Sequence, residues 1–187
     1  MVYRAPVGPT LATLITMTTY GTWLRGDARG WIDNGTLMPP DPILQAVDRD
    51  RMKHPVFVFD LDHLLDVGRW IGDSLRERLH VHLWAMTVQI WHVHFIIAPT
   101  PREIQSIVKC AKDAVRWGLR ARQPIWTTGY DKRFCFDQDS VYRRIAYVER
   151  HNLQLGRSAR PWTFIEPPFS SPCSHVGPHA PGVFTGG

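Results

Sequence analysis

Residues 81–98 read VHLWAMTVQIWHVHFIIA. Two runs rich in apolar, β-branched and aromatic residues, 81–88 and 92–98, flank Gln89-Ile90-Trp91, the pattern of a hairpin through the centre of a sheet. Pro99 and Pro101 end it. Upstream, LATLITMTTYGTWL (11–24) mixes threonine with apolar and aromatic residues in partial alternation and reads as a first strand. Between the two lies a helix capped by Asp62 and running to Leu79, with Leu61, Leu64, Leu65, Ile71, Leu75 and Leu79 along one side. Downstream, residues 102–121 repeat apolar side chains at helical spacing (Ile104, Ile107, Val108, Ala111, Val115, Leu119) and put Lys109, Lys112, Arg116 and Arg120 on another side, a basic amphipathic helix. Residues 125–136 read as an irregular strand, and Asp139 to Leu153 as a closing helix with Asp137 or Asp139 at its N-cap. The order predicts an α+β fold: a ferredoxin-like βαββαβ sandwich on an antiparallel sheet, with an added C-terminal helix.

The rest of the chain decorates that unit. A single domain is expected over residues 1–165, interrupted at 26–60 by a loop insertion whose Gly30, Asn34-Gly35, Pro39-Pro40 and Asp41-Pro42 resist regular structure, apart from a short helix near 42–49. Residues 166–187 are dominated by Pro, Gly and Ser and read as a disordered tail. The 187 residues are 44% hydrophobic and 11% aromatic, enough for a core, yet no uninterrupted apolar run is long enough to cross a membrane. The N-terminus shows no secretory h-region, and Cys110, Cys135 and Cys173 fall at no zinc-ligand spacing, so reduced thiols in a cytoplasm are the expectation. The net charge of +5 is unevenly spread. Residues 102–160 carry 13 basic and 6 acidic side chains, whereas 1–101 carry 9 and 10. Clustered Lys and Arg raise a local positive potential that suits a phosphate-rich partner, the alternative being a solvated helix face.

His92-Val93-His94 is the sharpest local feature. Side chains alternate across a strand, so both imidazoles share one sheet face, close enough to bind one divalent ion with a third ligand from another element. His80-Val81-His82 competes with it. That pair falls at a helix-to-strand junction, and pairing Val88 with residue 91 or with residue 92 puts His82 on the opposite face or at the far end of the same one. It is expected to be structural or peripheral. On the last helix Tyr147 and His151 stand four residues apart and share a face, with Arg143, Arg144 and Arg150 near for phosphate contacts. A phenol, with its ordinary pKa near 10, attacks poorly at neutral pH unless a metal or positive charge stabilises the reaction, and a His ligand one turn away would meet that need. The plainer reading makes Tyr147 a core aromatic and His151 a partner of the helix dipole.

These residues resemble those of HUH-type single-tyrosine transposases, in particular the REP-associated tyrosine transposases and their small insertion-sequence relatives. The resemblance rests on His92-Val93-His94 followed by Phe95-Ile96-Ile97, on Thr19-Tyr20-Gly21-Thr22-Trp23-Leu24 with Gly26-Asp27 and Gly30-Trp31, on Ile125-Trp126 with Gly129-Tyr130, and on Tyr147-Val148-Glu149-Arg150-His151-Asn152. It spans about residues 11–165, in order. It implies a metal-dependent strand transferase acting on single-stranded or hairpin DNA, in which Tyr147 attacks the scissile phosphate to leave a 5′-phosphotyrosine and a free 3′-hydroxyl. It also implies that His92, His94 and His151 hold Mg2+ or Mn2+, that Asn152 is a substitute ligand, and that the protein works at a bacterial nucleoid as a monomer or homodimer. The family's helix ligand is usually Gln or Asn; a histidine there is softer and shifts preference from magnesium towards manganese. The turn Gln89-Ile90-Trp91 and the pair Asn152-Leu153 depart from the family's Met-Pro-Asn/Asp and Asn-Pro. Lys109, Lys112, Arg116 and Arg120 would hold the DNA backbone together with Arg143, Arg144 and Arg150, while Trp117, Trp126 or Tyr130 would stack on unpaired bases. A non-catalytic DNA- or RNA-binding module on the same fold is the alternative.

Overall fold

The structure is a computed structural model that describes residues 9–33 and 35–168. In chain order its elements are β1 (Ala12–Thr18), β2 (Trp31–Asp33), β3 (Thr36–Met38), α1 (Pro42–Asp50), α2 (Leu64–Leu79), β4 (Leu83–Val88), β5 (His92–Ile97), α3 (Ile104–Gly118), β6 (Asp131–Cys135) and α4 (Gln138–Gln154). β1, β4, β5 and β6 form one sheet in the order β4-β5-β1-β6, every neighbouring pair antiparallel. α2 carries the chain from β1 to β4 and α3 from β5 to β6, each connection skipping one strand, so the expected ferredoxin-like βαββαβ arrangement is present with α4 added.

Strand alternation divides the core between two layers. Val93, Phe95 and Ile97 of β5 join Ile15 and Met17 of β1 on the face covered by α2 and α3, where Val67, Ile71, Leu75, Ile107, Ala111 and Val115 are buried. The even-numbered residues of β1 and β5 face the other way. There Leu14, Ala85 and Ile96 receive α4 through Val141, Ile145 and Val148, all buried. Each of these three is worth about 1.5–3 kcal/mol of hydrophobic burial, which fixes α4 on the sheet face that also carries His92 and His94. The chain after α4 returns to the first layer. Trp162 and Phe164 lie so tightly on α2 that a Cβ at Gly68 or Gly72 would strike their rings, and Ile165 bridges to Leu83.

Several local expectations are revised. The segment 26–60 is no plain loop: β2 and β3 pair as a hairpin, and α1 follows with Asp41 as N-cap, its carboxylate accepting from the Leu44 N–H at 2.9 Å. Asp62 does not cap α2, which begins at Leu64 after a 3₁₀ turn over Leu61–His63, and Leu61 and Leu65 stay exposed while Val67 takes the core position. The β4–β5 turn matches neither pairing weighed from sequence. Val88 opposes Val93 and the Gln89 N–H donates to the His92 carbonyl, leaving Ile90-Trp91 as a two-residue loop. Of residues 125–136 only Asp131–Cys135 is strand, preceded by an isolated bridge from Trp126 to Thr19. Residues 169–187 of the tail, with Cys173, lie outside the described residues. Among the described residues Cys110 and Cys135 are free thiols, and no helix is long and apolar enough to cross a membrane.

Candidate active site

α4 is built to present two side chains to the histidine pair. Asp137 caps it, its carboxylate accepting from the Ser140 N–H at 2.7 Å, and Val141, Ile145, Val148 and Asn152 form the buried stripe. Tyr147 and His151 sit on the adjoining stripe, one turn apart. The C-terminal end of the helix is fastened where it matters: the Asn152 Nδ2 donates to the carbonyls of Met86 and Ala159, both at 2.9 Å, and the Gln89 Nε2 donates to the His151 carbonyl at 3.3 Å. Tyr147 therefore meets the histidines of its own chain.

Four rings make the site. Ring centroids lie 4.4 Å apart for His92 and His94, 5.5 Å for His94 and His151, and 5.9 Å for His92 and His151. Tyr147 is 4.7 Å from His151 and 5.6 Å from His94, and it is 43% exposed, so a ligand can approach it. The Thr16 hydroxyl, directly across on β1, is 2.8 Å from His94 Nδ1 and fixes that ring. Both ring nitrogens of His92 and the Nε2 of His151 are buried without a hydrogen-bond partner. Burial pushes His92 down to about 3, with the His94, His151 and Arg29 charges adding to the effect. Burial likewise lowers His94 to about 4, and lowers His151 with help from Arg150. At neutral pH all three are neutral imidazoles with lone pairs available, the form that binds a metal ion.

The spacing of the rings suits a common ion better than their orientation does. A metal–nitrogen bond of about 2.1 Å and a further ~1.1 Å to the ring centre put the centroids of two ligating imidazoles about 4.5 Å apart at a right angle and about 5.2 Å apart at the tetrahedral angle. The observed 4.4, 5.5 and 5.9 Å bracket those values. As the rings are turned, however, the described residues contain no group of three His, Cys, Asp or Glu side chains arranged to hold a metal ion. Spacing, partnerless nitrogens and an all-imidazole donor set fit a first-row divalent ion after ring rotation, and they fit magnesium less well.

Other residues singled out from the sequence lie elsewhere. α3 packs on the opposite face of the sheet, so Lys109, Lys112, Arg116, Trp117 and Arg120 do not line the ring cluster. Lys109 pairs with Asp113 at 2.6 Å, and the Lys112 ammonium donates to the carbonyls of Thr127 and Gly129 at 2.8 Å, holding the loop before β6. Trp126 and Tyr130 are partly buried against the α2–α3 core, whereas Trp117 is 76% exposed. Arg143 and Arg150 are exposed on the Tyr147 side of α4, while Arg144 lies beside Cys135. Asn152 is an anchor, with its amide nitrogen bound to two carbonyls and its Oδ1 buried without a partner. His80 is the left-handed C-cap of α2 at φ 55°, and His82 is exposed beyond the outer end of β4.

The structure also brings in residues that sequence reasoning missed. Thr16 and Thr18 oppose His94 and His92 on β1, and the Thr18 hydroxyl bonds that of Thr127 at 2.9 Å. Asp131 opposes Thr16 on the next strand, and its charge raises His94 against the burial effect. Trp91 packs its ring 4.0 Å from that of His92 and carries the guanidinium of Arg29 at 4.5 Å. The even spacing of Thr16 and Thr18 in an apolar strand was the available signal for the first two; Arg29 gave none, because its position depends on how the 26–60 segment folds back.

No protein-family model and no curated protein matches the sequence. Solved structures similar to the chain include the following two. One is a REP-associated tyrosine transposase bound to a REP hairpin, 13% identical over 88% of this chain and 81% of that one, with a TM-score of 0.47. The other is a Deinococcus radiodurans R1 protein assigned as a transposase, 15% identical over 81% of this chain and 98% of that one, with a TM-score of 0.40. At such identity the residues of the site, not the likeness, have to carry the chemistry.

Proposed function

We propose that the chain is a tyrosine-dependent strand transferase for single-stranded or hairpin DNA. The observation that carries this reading is the position of Tyr147, half-exposed and packed against two imidazoles in a cluster of three neutral histidines. In the reaction the Tyr147 Oη attacks the scissile phosphorus in line with the 3′-oxygen. The Oη–P bond forms and the P–O3′ bond breaks; the phenolic proton goes to solvent and the 3′-oxygen takes one up. The products are a 5′-phosphotyrosine and a 3′-hydroxyl, and attack by an incoming 3′-hydroxyl reverses the step and joins strands without a nucleotide cofactor. A divalent ion, Mn2+ in preference to Mg2+, on His92, His94 and His151 would supply a Lewis acid for a non-bridging phosphate oxygen. Thr16 keeps the His94 ring turned to the site, and α4, anchored by Asn152, keeps Tyr147 beside it. Arg143 and Arg150 offer cations to the strand on the open side of the tyrosine. The covered sheet face speaks against an RNA-recognition module, which displays aromatics on an open sheet.

The test is incubation of the chain with Mn2+ or Mg2+ and a library of hairpin-bearing single strands. A protein–DNA adduct that survives boiling in detergent is expected, and Tyr147→Phe should form none; an equal yield from that variant refutes the nucleophile assignment. That the described residues hold no formed group of three metal-binding side chains favours one second reading, a module on this fold that binds DNA without cutting it. Binding with no adduct on any substrate, with either metal, decides for that reading.

A further inference from the structure

The 26–60 segment holds Arg29 in a rigid frame beside His92. The Asp27 carboxylate, nearly buried at 6% exposure, accepts from the Arg29 Nε at 2.7 Å, from its Nη2 at 2.8 Å and from its backbone N–H at 2.9 Å. Nη2 also donates to the Thr22 carbonyl at 2.7 Å. The guanidinium carbon stands 5.2 Å from the Trp23 ring and 4.5 Å from the Trp91 ring, and the two indoles meet edge to face at 6.4 Å. The frame is itself locked. The Trp23 indole donates to the Gly30 carbonyl at 2.8 Å, and the Trp91 carbonyl accepts from both the backbone N–H and the hydroxyl of Thr19. Gly26 stands at φ 77°, where a Cβ would strike the Asp41 carbonyl, so the loop delivering Asp27 has one close-packed course.

Such a frame leaves a specific group over. Nη1 of Arg29 has no partner among the described residues, and the arginine is 44% exposed. Arg29 and His92 pack on the same Trp91 indole. A fixed cation with two unused N–H donors at the rim of a phosphate-transfer site suits an anionic oxygen.

We infer that Arg29 is a phosphate-binding residue that receives one non-bridging oxygen of the single strand at the linkage next to His92, and that the 26–60 segment exists to place it. The inference deepens the proposed function and rests on it. The two tryptophans are occupied by the guanidinium, so this corner reads a backbone phosphate and not a base. Asp27 acts through Arg29 as a positioning residue.

The experiment uses the full chain and the hairpin oligonucleotide on which it forms most adduct, measuring affinity by fluorescence anisotropy between 50 and 300 mM salt (about the range over which counterion release is resolved). Arg29→Gln is expected to weaken binding roughly 10- to 100-fold, to lower the slope of log K against log salt by about 0.7, and to slow adduct formation. Neutral methylphosphonate placed at successive linkages should weaken binding of the native chain at one linkage near the cut and have no further effect there on Arg29→Gln. Arg29→Lys keeps the charge without the fork, so it should retain the salt slope and lose adduct rate; it decides the matter if Arg29→Gln does not fold. Arg78→Gln, on the far layer, is the control. Native-like slope, rate and methylphosphonate profile in folded Arg29→Gln or Arg29→Lys overturn the inference while an adduct by the native chain preserves the broader reading. If the native chain forms no adduct, the broader reading falls and this one with it.

Discussion

Acidifying the metal-free chain from pH 6.5 to 4.5 should destabilise it through the ring cluster alone. An imidazole buried in its neutral form binds its proton more weakly when folded than when unfolded, so stability is lost as pH falls below the unfolded value of 6.5 and the loss continues to the folded value. His92 is lowered to about 3 and His94 to about 4. Over this window each costs about 2 kcal/mol, and the pair, titrating as a coupled unit, costs roughly 4 kcal/mol together. The carboxylates do not obscure the effect. Asp27, Asp48 and Asp137 have lowered pKa values, so their stabilisation is present above the ordinary 3.8 and fades only below it, outside the window. The assay is urea unfolding followed by tryptophan fluorescence in EDTA at half-unit pH steps, which the 8 tryptophans make sensitive. His92→Gln/His94→Gln should flatten the profile. A native curve that changes by less than about 1 kcal/mol across the window, or an equal fall in the double variant, refutes the argument that buried neutral imidazoles form the cluster.

Other perturbations probe the rest of the site. Asn152→Ala should destabilise by about 2–4 kcal/mol, since it strands two carbonyls, and should slow adduct formation with native metal affinity, by calorimetry; lost affinity would make Asn152 a ligand instead. Mn2+ should raise the melting temperature of the native chain and not that of His94→Ala, by scanning calorimetry; an equal shift in both removes the metal from the cluster. Because α4 packs on its own sheet, mixing Tyr147→Phe with His94→Ala should restore no adduct; restored yield would mean that the helix exchanges between subunits. Lys109→Gln/Arg116→Gln, on the opposite layer, should change adduct rate less than twofold, and Arg143→Gln/Arg150→Gln should slow it at least tenfold, in a quench-flow series of about that resolution.

Element order and the central hairpin were legible because 81–98 holds two apolar runs either side of a short turn and 102–121 repeats apolar residues with a period near 3.6. The pairing of Tyr147 with His151 was legible for the same reason, one turn being a local property of the chain. Layer assignment was not local. The basic residues of α3 and those of α4 look continuous along the sequence, yet the two helices cover opposite faces, and only the sheet order β4-β5-β1-β6 separates them. Lys112 likewise reads as a surface cation, though loop carbonyls of Thr127 and Gly129 claim it. Arg29 was invisible because its role arises from a turn, a buried carboxylate and two distant indoles meeting in space.

The central claim is that the Tyr147 Oη becomes the 5′-phosphate ester of cut DNA. Trypsin cleaves after Arg144 and Arg150 to release Ile145-Ala-Tyr-Val-Glu-Arg150, in which Tyr147 is the sole hydroxyl-bearing side chain. After nuclease trimming of the purified adduct, mass spectrometry should find this peptide carrying a residual nucleotide. A nucleotide on any other peptide, or cut strands with this peptide unmodified, would contradict the account.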